Sequence, residues 1–151
     1  MKNSRYAYKM LKSITNLIDG QFVFIFQREQ LIQSRRDQQT FRYLKQAGYL
    51  KKIDDQRYSV TLLSQINLLS ELIKKRKPDG RLRIIFFDIP EKMRSKRNHF
   101  RRHLVELEFS MLQQSVWISK LPCENLVKKV VKYHGLKKYV DFVIADTVSL
   151  Y

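Results

Sequence analysis

Arg35, Gln38, Gln39 and Arg42 carry the most specific recognition chemistry in this sequence. At 100° per residue, a helix capped by Ser34 and closed by Gly48 gathers Thr40, Phe41, Leu44 and Ala47 on one side. Arg35, Gln39, Arg42 and Gln46 fall opposite, with Gln38 nearby and Arg36 on the flank. An Arg donates two bonds to guanine O6 and N7, and a Gln pairs with adenine N6 and N7. Such a face suits a nucleic-acid groove. The plain alternative is an ordinary solvated helix face.

Other residue types narrow the chemistry. Lys51, Lys52 and Arg57 flank a polar turn, Asp54-Asp55-Gln56, where cations could neutralise phosphates. Arg94, Arg97, Arg101 and Arg102 cluster with Lys96 in a second basic helix, which either tracks a phosphate backbone or solvates itself. Asp88 and Glu91 stand three residues apart ahead of that helix, so a capping box is expected, with carboxylates meeting its free N-H groups. His99 and His103 have i, i+4 spacing but lack the Glu of a zinc-protease motif, and read as a helix surface or core edge. Cys123 is the single cysteine, which forms no internal disulfide and anchors no cysteine-rich zinc site.

The elements that must hold these residues follow from hydrophobic period. Ala7, Met10, Leu11, Ile14, Leu17 and Ile18 form an amphipathic helix stopping before Gly20. Residues 21–33 are ambiguous: Phe22, Phe24 and Phe26 alternate like a strand, whereas Val23, Phe26 and Leu31-Ile32 suit a short helix, the reading preferred here. Tyr49 to Ile53 and Arg57 to Thr61 form a hairpin directly after the Arg/Gln helix. Leu62, Ile66, Leu69 and Ile73 then continue at helical steps.

The charge run Lys74-Lys75-Arg76-Lys77 followed by Pro78-Asp79-Gly80 marks a linker, dividing the chain into domains at 1–77 and 81–151. Beyond it, apolar runs and turn signals give the order β-α-β-β-α-β. The strands are expected at 83–88, 109–112, 115–119 and 139–145, with helices opening at Pro90 and Pro122.

The 151 residues carry 30 Lys plus Arg against 14 Asp plus Glu, a formal charge of +16, which points to a polyanionic partner. Both halves share it, with 16 basic and 7 acidic groups in residues 1–79 and 14 and 7 beyond. With 44% hydrophobic residues the chain has enough apolar surface for a core, so a disordered basic tail is excluded. The lack of a signal-like start and of a long apolar run makes a cytoplasmic protein the expectation.

Two resemblances sharpen this reading. Phe41 to Leu50 resembles the end of the recognition helix and start of the wing in bacterial winged helix-turn-helix regulators. Phe86-Phe87-Asp88-Ile89-Pro90-Glu91, the arginines after it, and Leu112 to Ser119 resemble the central domain of phenylacetate-repressor (PaaX-type) regulators. That domain is itself similar to the small CRISPR-associated protein Cas-two, a ferredoxin-like homodimer.

The resemblances imply an α+β protein: an N-terminal winged helix-turn-helix at 1–77, then a ferredoxin-like βαββαβ dimerisation domain at 81–151. The implied role is a homodimeric transcriptional regulator of double-stranded DNA, with no cofactor and no catalytic residue. Arg35, Arg36, Gln38, Gln39 and Arg42 would meet the groove, and Lys51, Lys52 and Arg57 the backbone. In the Cas-two family the acidic residue ending the first strand is the proposed metal ligand, facing its twin across the dimer. The alternative carried by Asp88 is therefore a Mg²⁺-dependent endonuclease, or a structural subunit of spacer acquisition beside the CRISPR integrase.

Overall fold

The computed structural model describes residues 5–17 and 25–146. The expected helix stop at Ile18 and Gly20, Phe22 to Phe24, and the end of the chain from Thr147 lie outside them. The chain is mixed α+β, with two antiparallel sheets and six helices among the described residues. It divides into two compact units, Met1–Glu71 and Leu72–Tyr151.

In the first unit, α1 (Arg5–Leu17) buries Ala7, Met10, Leu11 and Ile14, the expected stripe. β1 (Ile25–Gln27) follows, then a 3₁₀ turn at Arg28–Gln30 and α2 (Arg35–Gln46). The hairpin consists of β2 (Leu50–Lys52) and β3 (Arg57–Val60), with Lys51 opposite Ser59. The sheet order is β1-β3-β2.

Residues 25–27 are a strand, which corrects the helical expectation there: Phe26 faces Tyr58 across the β1–β3 ladder, with the rings stacked at 6.3 Å. Tyr58 also meets the edge of Phe41 at 4.8 Å. That aromatic cluster joins residues from three separate segments of the chain, a gain that local helical period does not contain.

The helix expected through Leu62 to Ile73 is broken into α3 (Leu62–Asn67) and α4 (Leu69–Ile73). Leu68 forms a tight turn, its N-H donating to Gln65 O at 3.1 Å, and the break lets Leu68 and Leu69 both bury their side chains.

In the second unit the order is β4 (Arg81–Phe87), a 3₁₀ turn at Glu91–Met93, α5 (Arg94–Glu106), β5 (Ser110–Gln113), β6 (Val116–Ser119), α6 (Glu124–His134) and β7 (Val140–Asp146). The sheet order is β5-β6-β4-β7, all neighbours antiparallel. Alternation along β4 sends Arg83, Ile85 and Phe87 to one face, where Phe87 meets Phe100 of α5 edge-on at 5.4 Å. Arg83 binds Glu124 at the start of α6 on that same face. Both helices therefore cover one side of the sheet. Leu82, Ile84 and Phe86 point to the other side, beside Val116, Ile118 and Val143 across the ladders.

Candidate nucleic-acid interface

The first unit positions α2 by its ends. Ser34 Oγ accepts the Asp37 N-H at 3.1 Å as N-cap, and Gly48 takes φ +77°, a left-handed turn that a side chain would strain. Asp37 Oδ1 accepts the Tyr6 hydroxyl of α1 at 2.7 Å, and its other oxygen accepts the Ser34 hydroxyl and the Gln33 N-H. The Tyr6 bond, then the Ser34 and Gln33 bonds, hold the Asp37 carboxyl below its usual range. Phe41 and Leu44 bury the inner face of the helix.

The outward face then projects Arg35, Gln38, Gln39 and Arg42, all exposed. Among the described residues none of these four side chains has an ion-pair or hydrogen-bond partner within the chain. Arg36 differs, because its guanidinium lies 4.2 Å over the Tyr6 ring and is used inside the unit.

The three hairpin cations also differ from one another. Asp54 caps the turn by accepting the Gln56 and Arg57 N-H groups, and its other oxygen accepts Arg57 Nε at 2.6 Å. Lys52 Nζ lies 2.7 Å from Asp55. These contacts lower the Asp54 pKa through the Arg57 side chain and raise that of Lys52 through its Asp55 bond. Lys51 alone of the three stands exposed without such a partner among the described residues. The pairing of Lys52 and Arg57 was missed because both aspartates read as turn formers.

The α5 arginines separate similarly. Arg97 donates to Ile89 O at 3.1 Å and pairs with Glu91 at 2.7 Å, while Arg101 donates to Gln114 O at 3.2 Å with its guanidinium 5.6 Å over Phe87. Both tie the helix to its surroundings. Arg94 is exposed and 3.8 Å from Glu91, and Arg102 is exposed with no partner among the described residues.

The expected capping box is not formed. The 3₁₀ turn begins at Pro90 with no side-chain cap, Glu91 turns to Arg97, and Asp88 caps nothing. The competing guanidinium explains this, since an Arg-carboxylate bond is stronger than one to a neutral backbone N-H. Asp88 is exposed and shares a cleft with Asp141, Lys138 and Ser115. Among the described residues no three His, Cys, Asp or Glu side chains are arranged to hold a metal ion.

Two clusters had no adequate signal in the sequence. Arg83, 3% exposed, binds Asp79 through two nitrogens and Glu124 at 2.7 Å. His134 of α6 lies 5.2 Å from His103 and 6.1 Å from His99, ring centre to ring centre. Burial first, then the two histidines and Lys96, push the His134 pKa down to about 4.

The fold and its exposed cations define a basic α+β protein of two units, the second with the element order β-α-β-β-α-β. The family model for the PaaX protein central Cas2-like domain matches residues 75–150, and the chain belongs to the PaaX-type family. None of the curated proteins and none of the solved structures compared with the chain matches it. Among the described residues no helix is long and apolar enough to cross a membrane.

Proposed function

We propose that the chain is a homodimeric transcriptional regulator of PaaX type that binds double-stranded DNA in the cytoplasm. The observation carrying this reading is the unpartnered Arg35, Gln38, Gln39 and Arg42 face of α2, lying directly before a basic hairpin. The order helix, strand, 3₁₀ turn, helix and hairpin, with sheet order β1-β3-β2, supports reading the first unit as a winged helix-turn-helix. On this reading α2 enters the major groove and Lys51 meets a phosphate.

A ferredoxin-like second unit supplies the dimer. Its uncovered sheet face carries Ile84, Phe86, Val116, Ile118 and Val143, with Phe86 at 40% and Val143 at 44% exposure. A contiguous apolar face of this kind favours burial against a copy of itself. Twofold symmetry would then offer two reading helices to two related half-sites.

The test is selection on random duplexes, then titration of Arg42→Ala and Lys51→Ala. Arg42→Ala is expected to cost about 1–3 kcal/mol on the selected site and little elsewhere, whereas Lys51→Ala should weaken every duplex alike. Sedimentation of Phe86→Asp should show a monomer. A wild-type chain that sediments as a monomer and ignores duplex sequence would overturn the proposal.

A further inference from the structure

The second unit has another exposed feature that the DNA reading does not use. Between α6 and β7 runs an open groove of about 1130 Å³. Its floor is apolar: Val127 and Val131 come from α6, and Val140, Phe142 and Ile144 from β7. β7 is an edge strand, and its helix-side row is only partly covered, with Ile144 45% exposed. The rim is cationic, formed by Lys128, Lys132, Lys137 and Lys138, all exposed. None of these lysines has an ion-pair partner among the described residues, and Glu124, the carboxylate in the lining, is committed to Arg83.

We propose that this groove is the docking site for an acidic amphipathic helix of a partner protein. The groove volume exceeds the roughly 300–1,000 Å³ of small-ligand pockets, and it lies open along the sheet edge, as an elongated occupant requires. Side chains at Val140, Phe142 and Ile144 repeat every ~6.7 Å along the strand, close to the ~6 Å between i and i+4 positions of a helix laid beside it. Lys128 and Lys132 are themselves i, i+4 on α6, so acidic residues at the same spacing on a neighbouring helix meet both. A second copy is the poorer occupant electrostatically, because the chain carries +16. This inference stands apart from the DNA-binding proposal, since its residues all belong to α6, β7 and the segment joining them.

The experiment uses the full chain and two fluorescein-labelled helical peptides of about sixteen residues, each with a Leu face flanked by Glu or by Lys. Fluorescence anisotropy should show the Glu peptide bound and the Lys peptide not. The double change Lys128→Glu and Lys132→Glu should weaken the Glu peptide at least about tenfold and admit the Lys peptide, and Ile144→Glu should abolish binding of the Glu peptide. Lys51→Glu, a charge change of the same kind made in the first unit, should leave affinity within about twofold.

Equal weakening by Lys51→Glu, or an Ile144→Glu variant that is folded by circular dichroism and binds as before, would mean mere charge attraction and would overturn the assignment. So would an Ile144→Glu change that dissociates a dimer of the chain while leaving the Glu peptide bound. In that case the groove belongs to a second copy.

Discussion

Arg83→Ala should destabilise the second unit severely, although the sequence places this residue in a largely apolar strand. The guanidinium is 3% exposed and reaches Asp79 and Glu124, whose side chains are 40% and 28% exposed. Removing one member of a buried ion pair typically costs 3–5 kcal/mol, because the remaining charge is left without a partner. Here both carboxylates reach some water, so the expected loss is about 2–4 kcal/mol, or roughly 10–20 °C in the melting temperature of a domain this size.

Trp117, the chain's single tryptophan, is buried in β6, so its fluorescence reports this unit's unfolding. The Arg83 hydrogen bonds hold the Asp79 carboxyl well below its ordinary value of 3.8. A depressed folded pKa contributes stability that is present above the unfolded value and lost as pH falls through the folded one. The gap between wild type and Arg83→Ala should therefore narrow below pH 3.8. Replacing the triad together, with Arg83→Leu, Asp79→Asn and Glu124→Gln, should recover most of the loss. A single Arg83→Ala variant melting within about 2 °C of wild type near neutral pH would refute the reasoning.

Three further outcomes are expected. Asp54→Asn with Asp55→Asn should release Arg57 and Lys52 from their turn, raising affinity for any duplex and steepening the salt dependence by about one to two counterions; an unchanged slope in filter binding would count against it. The His134 pKa of about 4, against 6.5 when unfolded, gives stability that is complete above the unfolded value and lost as pH falls from 6.5 towards 4. The full effect would be roughly 3 kcal/mol, which partial solvent exposure reduces to roughly 1–2 kcal/mol, and His134→Gln should flatten urea midpoints measured across that window. Cys123 is fully buried and burial pushes its thiol up to about 12, so a thiol reagent should label it only after denaturation.

Much of the interface was legible along the chain. Ser34 and Gly48 bracket α2 because a cap and a left-handed residue act within one turn of their own position. Phe41 and Leu44 on one side likewise determine that Arg35, Gln39 and Arg42 point outward. Which cations remain available was less accessible, because Arg97 and Arg101 look like surface residues until carbonyls of Ile89 and Gln114 are brought beneath them.

Sequence alone thus determined the charge, the helix faces and the β-α-β-β-α-β order, properties written in spacings of two to four residues. Tertiary structure decided that Phe26 lies in a strand beside Tyr58, that Arg83 joins Asp79 to Glu124, and that His134 meets His99 and His103. It also opened the groove between α6 and β7. These are pairings between distant segments, whose energies arise only when packing removes water from both partners at once.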